Sequence, residues 1–439
     1  MLERRLSGSV DLIALHAQFP DRYPVVLESA ALGAKTGRYD LLLAAPGAAL
    51  VLDADGSVRG ATDGGFLAAL DRWWQAERLP ANPALPFSGG WFLYLGYELA
   101  GEVEPSLSLP RGLTAIAYAL RCHAALIVDH DRSQLWAVAE PGHEPALDRL
   151  ETDLQSLPRA EPAPLPRAEL TEDPPERYLS AVILAKEHIA AGDIYQANLA
   201  RGWRGYLPHG ARAADLYRNL RRANPGPFAG LAAVPGMTVL STSPERLVQV
   251  RAGHAQTRPI AGTRPRVGDD AATIAELTGN AKELAEHIML IDLERNDLGR
   301  VCRAGTVRVD EFCVVESYAH VHHLVSNVSG ELRADVTPVD VIRALFPGGT
   351  ITGCPKVRCM QIIAELESEA RGAYTGSMGY LDRSGDMDLN ILIRTATLIG
   401  DRLEVRAGAG IVADSDPERE LEETRAKARG LLRGLGIAS

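Results

Sequence analysis

Six prolines, at positions 158, 162, 164, 166, 174 and 175, fall within a stretch of nineteen residues from Leu157 to Pro175. Proline has no amide hydrogen and a fixed φ, so a run this dense in it continues neither a helix nor a sheet ladder. The stretch predicts a surface connection over 157–176, between a first portion at 1–156 and a second at 177–437. The two portions read differently. In the first, short apolar runs at 25–27, 39–44, 49–52, 91–95 and 124–128 are punctuated by turn signals such as Asp55-Gly56, with one helical pattern at 66–79. This is a strand-rich region packing on the remainder. The second alternates helical patterns at 177–191, 211–222, 273–293, 338–345, 355–366 and 417–435 with strand patterns at 196–203, 238–240, 247–251, 307–315, 378–381, 391–398 and 403–406. Such alternation predicts an α+β enzyme-sized unit.

Bulk properties narrow the function. The chain has 439 residues, 46% of them hydrophobic, which is ample for a large core. A net charge of -11 with no basic patch argues against a nucleic-acid partner. The five cysteines, Cys122, Cys302, Cys313, Cys354 and Cys359, are scattered and form no Cys-x-x-Cys pair, which suits free thiols in a reducing compartment. No apolar run reaches membrane-spanning length and none follows the charged start as a signal core, so a cytoplasmic protein is expected, with no membrane partner.

Four constellations carry potential chemistry. Glu283 with Glu286, and Glu420 with Glu423, are spaced to put each couple on one helical face. Sparse hard-oxygen ligands from separate elements suit Mg²⁺, whereas the bland alternative is the solvated face of two surface helices. The loop from Phe346 to Lys356 is rich in glycine and threonine and runs into a helix, a place for an anion or simply a capped loop. Cys354 within it is no nucleophile elbow. Arg394 stands on an apolar strand pattern, where an arginine usually meets an internal carboxylate or a ligand, and Gly408 and Gly410 follow on a stretch that would admit close approach. Finally, strand alternation sends His320 and His322 to one face and His323 to the other; no further ligand stands at zinc spacing.

Taken in order, five motifs resemble those of the chorismate-utilising enzymes: Ser243-Pro244-Glu245-Arg246, Pro259 to Arg264 (PIAGTR), 285–297 (AEHIMLIDLERND), Gly349 to Lys356 (GTITGCPK), and 408–414 (GAGIVAD) with Glu423-Thr424-Arg425-Ala426-Lys427. The resemblance spans almost everything from Tyr178 to Leu435. It implies a four-layer α/β/β/α sandwich. It makes Glu286 and Glu423 direct Mg²⁺ ligands, with Glu283 and Glu420 reaching the metal's waters. Tyr374 and Arg394 match the holders of the enolpyruvyl carboxylate, and Lys427 the holder of the ring carboxylate. Glu245 matches the acid that protonates the departing C4 hydroxyl, and His323 the active-site histidine. Thr263, Thr350, Gly408 and Gly410 would line the cavity.

Members that add water to chorismate carry a lysine where this chain has Gln196, and a neutral amide cannot activate water. Ammonia needs no such base, so the resemblance implies amination. The segments Tyr195 to Leu199, Asn224 to Phe228 and Gly37 to Asp40 look like the branch that aminates C4, giving 4-amino-4-deoxychorismate, a folate and para-aminobenzoate precursor that keeps its pyruvyl group. That branch often has a lysine, proposed to attack C2, where this chain has Ala261. Alanine there is similar to the branch that aminates C2 and releases pyruvate as anthranilate is formed, which stays the alternative. A binding protein without turnover is the alternative from another class; the matched set of metal and acid residues argues against it. No Cys-His-Glu glutaminase is found, so a separate glutamine amidotransferase subunit is expected to supply ammonia. Leu27-Glu28-Ser29 is similar to a tryptophan-binding segment of the anthranilate branch, which would place tryptophan in the first portion.

Overall fold

The computed structural model describes all residues except 9, 31–36, 62, 81–83, 158–168, 267, 319–320 and 438–439, and omits the side chains of Ala261, Pro265, Ala281 and Lys282. Most of the proline-rich connection, and His320, therefore lie outside the described residues; the end of the connection, expected to be irregular, holds strand Glu169–Glu172 and opens helix Pro175–Ala190.

The protein is α+β, and its strands form one long antiparallel path. Starting from Glu169–Glu172, the path runs through Gln196–Tyr206, Arg402–Ile411, Thr395–Ile399, Met237–Ser243, Phe228–Val234 and Val25–Glu28. It crosses Tyr39–Leu52, Ala117–Asp129 and Gly90–Leu95, and continues through Ser377–Asp382, Met387–Asn390, Arg246–Arg251 and His254–Thr257 to Val321–Glu331. Arg308–Ser317 and Ile260–Pro265 flank that last strand. Strands of the first portion thus stand in the middle of the ladder and join two sets from the second.

Side-chain alternation separates three layers of core. Along Phe228–Val234, Ala229 and Leu231 face helices Ala213–Ala223 and Pro417–Gly434, whereas Ala232 and Val234 face inward. Inward residues from both strand sets, among them Leu43, Phe92, Val239, Met378 and Leu392, meet in one buried cluster between the sheets. On the outer face of the second set, helices Phe66–Glu77, Ala281–Gly299 and Pro338–Leu345 bury Leu70, Ile291 and Ile342 against Val248 and Leu389. Helices therefore cover both outer faces, and the architecture is the expected α/β/β/α sandwich.

Helix Pro338–Leu345 coincides with its sequence pattern, since Pro338 opens it and Thr337 with Asp340 forms a capping box. Elsewhere two expectations are corrected. The single helix expected over 273–293 is two helices, Asp270–Gly279 and Ala281–Gly299. Asn280 between them is extended, and its side chain accepts the Glu283 N–H at 3.2 Å, an N-cap that restarts the helix. The strand expected over 391–398 is interrupted: Met387–Asn390 and Thr395–Ile399 pair with different neighbours, and 391–394 leaves the ladder. Among the described residues no helix is long and apolar enough to cross a membrane.

Candidate active site

Glu245 sits at the corner between strands Met237–Ser243 and Arg246–Arg251, only 5% exposed. Its backbone is fixed from both sides. The Glu245 N–H donates to Ser243 Oγ at 3.2 Å, and its carbonyl accepts the Ile391 N–H at 3.0 Å. Burial pushes its carboxyl up to about 7, with Thr350 and the positive charge of Arg394 opposing that rise. The Thr350 hydroxyl lies beside the carboxyl, yet neither Thr350 Oγ1 nor Glu245 Oε1 completes a hydrogen bond of ordinary geometry.

Arg394 occupies the break in the strand, with φ of 50°, a region costly for a residue with a side chain. The break is held by strand Met237–Ser243: the Thr242 N–H and hydroxyl both donate to the Arg394 carbonyl at 3.1 Å, and Ser243 Oγ donates to the Ile391 carbonyl at 2.5 Å. No salt bridge to Arg394 exists among the described residues, and burial lowers the pKa of its guanidinium. His323 lies across from Thr263 in the ladder, its Nδ1 2.8 Å from Thr263 Oγ1. Burial, aided by Arg394, pushes His323 down to about 3, so at neutral pH it is a neutral hydrogen-bonding group. Between Ile260 and Thr263 the ladder register shifts; Ala261 lies in that irregular stretch.

The loop holding Thr350 links these groups to a glycine-lined floor. Its 3₁₀ turn Gly349–Ile351 precedes Gly353–Cys354, which pairs with Gln196 and Ala197 at the start of strand Gln196–Tyr206. That strand lies beside Arg402–Ile411. A Cβ at Gly408 would stand 2.7 Å from both the Tyr374 hydroxyl and Asn198 Oδ1, and one at Gly410 2.3 Å from Gln196 Nε2. A Cβ at Gly408 would also stand 2.6 Å from the Leu199 carbonyl, so glycine is required there, whereas at Gly410 the Gln196 side chain would have to move. Burial raises the Tyr374 phenol to about 12, so it stays a donor. Lys427 Nζ donates to the Gly408 carbonyl at 3.1 Å and pairs with Glu423 at 2.8 Å.

On these connected elements, four side-chain oxygens are buried with no hydrogen-bond partner among the described residues: Glu245 Oε1, Thr350 Oγ1, Gln196 Oε1 and Asn198 Oδ1. An orphaned buried polar atom costs about 1–3 kcal/mol, so a cluster of them marks a place where a ligand supplies the partners.

The four expected metal carboxylates lie on helices Ala281–Gly299 and Pro417–Gly434. Among the described residues no group of three or more His, Cys, Asp or Glu side chains comes together as a metal site. Glu283 Oε1 accepts from Arg264 at 2.7 Å while its Oε2 presses against Gly262, and Glu420 and Glu423 lie near the buried Tyr178 hydroxyl. The donor chemistry still fits Mg²⁺, which takes few carboxylates and keeps waters and substrate oxygens, and the orphaned Glu283 oxygen is a donor in waiting.

Sequence reading missed Asn198 and Glu294. Asn198 follows Gln196 by two residues, the spacing that shares a strand face, and that signal was legible. Glu294 is a buried carboxyl on a helix, and its sequence context shows only one more helical glutamate.

Residues 31–433 match the chorismate binding enzymes, and the chain belongs to that family. It is 45% identical over 361 residues to the anthranilate synthase component I-like protein of Synechocystis sp., covering 80% of this chain and 73% of the relative. To the aminodeoxychorismate synthase component 1 of Bacillus subtilis it is 40% identical over 397 residues, covering 86% and 83%. The solved structure of anthranilate synthase component I from Streptococcus pneumoniae superposes with a TM-score of 0.81 at 30% identity, over 91% of this chain and 93% of that one. The menaquinone-specific isochorismate synthase of Escherichia coli shares the fold, with a TM-score of 0.75 at 21% identity over 99% and 94%.

Proposed function

We propose that this chain joins chorismate to ammonia at C4, giving 4-amino-4-deoxychorismate with the pyruvyl group retained. The observation that carries an anionic substrate is Arg394: a cation set in a strained backbone with no salt bridge among the described residues, beside an acid whose carboxyl burial pushes up to about 7. Arg394 and Tyr374 would hold the enolpyruvyl carboxylate and Lys427 the ring carboxylate. Glu245 would protonate the C4 hydroxyl, so that the C4–O bond breaks and water leaves as a first nucleophile adds at C2; ammonia then forms the C–N bond at C4 as that nucleophile leaves C2. Gln196 Oε1, orphaned and buried, belongs to an amide that cannot act as a base, which favours ammonia over water as the incoming nucleophile. Glu286 and Glu423, with Glu283 and Glu420 through water, would hold Mg²⁺; when bound, the metal neutralises carboxylate charge on the substrate. With alanine at 261 no side-chain amine there can add to C2, so water or ammonia itself takes that place.

The relatives' names as component 1 support a separate partner, which we take to be a glutamine amidotransferase supplying ammonia. Tryptophan would find room in a cavity of about 750 Å³ bordered by Leu27, Glu28, Phe228, Met378 and Tyr380. There Glu28 is already held by Arg221 at 2.8 Å and by the Tyr217 hydroxyl at 3.1 Å.

The second reading, amination at C2 with loss of pyruvate, draws on Ala261 and on the relatives named anthranilate synthases. Incubating the purified chain with chorismate, Mg²⁺ and ammonium and identifying the product by mass decides between them. 4-Amino-4-deoxychorismate is expected; anthranilate with free pyruvate would overturn the assignment, and no turnover would leave a binding protein. Ala261→Lys should preserve C4 amination and would abolish anthranilate formation.

A further inference from the structure

Arg371 is 4% exposed in the bend between helix Lys356–Glu367 and strand Ser377–Asp382, and the chemistry above gives it no task. Every nitrogen of its guanidinium is nevertheless engaged. Nε donates to Glu367 Oε2 at 2.9 Å and Nη2 to Glu367 Oε1 at 2.5 Å, a two-pronged pairing that fixes the plane of the group. Nη2 also donates to the Asn198 carbonyl at 2.6 Å and Nη1 to the Ile351 carbonyl at 3.3 Å, which belong to the strand holding Gln196 and to the turn holding Thr350. From the first portion of the chain, the Tyr97 ring lies 4.8 Å from the guanidinium, and the Glu98 carboxylate accepts the Arg371 N–H at 2.7 Å and the Gly372 N–H at 3.1 Å. The arginine is anchored on three sides.

Its remaining bond goes to Thr375. Arg371 Nη1 donates to Thr375 Oγ1 at 3.2 Å, and that hydroxyl donates in turn to the Tyr374 carbonyl at 2.6 Å. Thr375 has φ of 62°, where a β-branched residue is an outlier that persists only when its surroundings impose it. The Thr375 N–H donates to the Leu392 carbonyl at 2.8 Å, and the Leu392 N–H returns to the Gly376 carbonyl at 2.8 Å. Tyr374 therefore directly precedes the strained residue, and segment 391–394, which carries Arg394, is bonded across it. Both groups assigned above to the enolpyruvyl carboxylate hang on one turn, and the Arg371 guanidinium braces that turn.

We propose that Arg371 is a positioning residue for Tyr374 and Arg394, acting through the turn at Thr375 to set the spacing between the two holders of the enolpyruvyl carboxylate. The inference rests on the reading that those two residues bind that carboxylate. A planar fork is needed here, since one ammonium nitrogen cannot reach a carboxylate, two carbonyls and a hydroxyl in fixed directions.

Arg371→Met removes the fork, while Glu367 keeps the Ala200 N–H at 2.8 Å and Arg406 at 3.6 Å as partners. In the folded fraction the chorismate KM should rise by about tenfold with kcat changed by less than about threefold, because the carboxylate holders shift while Glu245 is untouched. Thr375→Ala breaks the same link more gently and should raise KM by about threefold, the scale of one neutral hydrogen bond. Thr375→Ser keeps the hydroxyl and should bring KM back close to that of the unaltered protein. The double variant Arg371→Met with Thr375→Ala should have the KM of Arg371→Met alone, since both changes cut one link. An arginine that only stabilised the fold would lower the urea midpoint and leave the KM of the folded protein unchanged; that result, or additive effects in the double variant, would overturn the proposal. If Arg371→Met does not fold, the Thr375 pair decides, and equal KM in Thr375→Ala and Thr375→Ser overturns it. If Tyr374→Phe and Arg394→Met both keep the original KM, the reading of the carboxylate holders is what fails; if they raise it while the Arg371 and Thr375 variants do not, the inference about Arg371 fails alone.

Discussion

Two arginines in this protein live opposite lives, one fully buried and one only partly covered. Arg121, 2% exposed on strand Ala117–Asp129, uses every nitrogen of its guanidinium: Nε donates to Glu77 at 2.8 Å, Nη2 to Glu140 at 2.6 Å, and Nη1 to the carbonyls of Gly90 and Cys122 at 3.0 Å. It also stacks 5.0 Å above the Trp91 ring. Arg394 has no salt bridge among the described residues, and the nearby carboxyl that influences it, Glu245, keeps its proton until about pH 7. A satisfied buried charge is part of the scaffold. An unsatisfied one, kept in a strained backbone, is capacity reserved for something that arrives.

The sharpest way to break this contrast is at the acid. Glu245→Gln keeps the shape and removes the proton donor, so kcat should fall by about 10²–10⁴-fold with chorismate affinity little changed. Steady-state kinetics with ammonium as nitrogen source measure it, and near-normal kcat would detach Glu245 from the chemistry. Next in size is Arg121→Met, which leaves the buried Glu140 carboxylate with Arg383 at 3.2 Å and His123 as its remaining partners and should cost about 3 kcal/mol in denaturant unfolding, while the folded fraction keeps its kcat. Smaller again is Arg394→Met. It should raise the chorismate KM by about tenfold or more, about 1.5–3 kcal/mol for a lost charge-assisted bond, and leave the melting temperature unchanged or higher. Were Arg394→Met to lose stability as Arg121→Met does and keep its KM, the distinction between the two arginines would collapse.

What could be read ahead of the fold follows the same division. Elements bounded by local chemistry were legible, as at Pro338–Leu345 with its proline start and capping threonine. The Gly279-Asn280 pair carried the signal that splits the helix expected over 273–293, but the apolar periodicity running through it masked the restart. Strand Phe228–Val234 was missed because alanine and glycine fill most of it, and of Val321–Glu331 only the start, at His322 and His323, was read as strand because serine, asparagine and glycine fill the remainder; they are strands by virtue of lying between neighbours. The strand pattern through Arg394 hid the break at 391–394, since the residues that hold it open, Thr242 and Ser243, are about 150 positions away in sequence. At the site, motif resemblance located Glu245, His323, Thr350 and the two glycines of the floor. It could not say that Arg394 has no salt bridge among the described residues, because that fact concerns what the fold brings, or fails to bring, alongside.

The smallest effect tests the acid without any turnover. Glu245 has a folded-state pKa of about 7 against an ordinary 4.5. Between those values the folded chain keeps a proton that the unfolded chain has released. The stability linked to that proton is complete below pH 4.5 and is lost as pH rises through about 7. Glutamine at 245 is neutral throughout and escapes the loss. The stability of Glu245→Gln relative to the unaltered protein should therefore improve from pH 5 to pH 8. At 1.36 kcal/mol per pKa unit the shift bounds the improvement at about 3 kcal/mol, of which the step from pH 5 to pH 8 samples about 2 kcal/mol. Urea unfolding of both proteins at the two pH values reads it directly. His323 does not confuse the comparison: its folded pKa is depressed to about 3, so its contribution is lost as pH falls below the ordinary 6.5 and is present in both proteins alike. An improvement that is absent, or larger at pH 5, would mean that Glu245 ionises freely in the folded chain and that the acid of this site lies elsewhere.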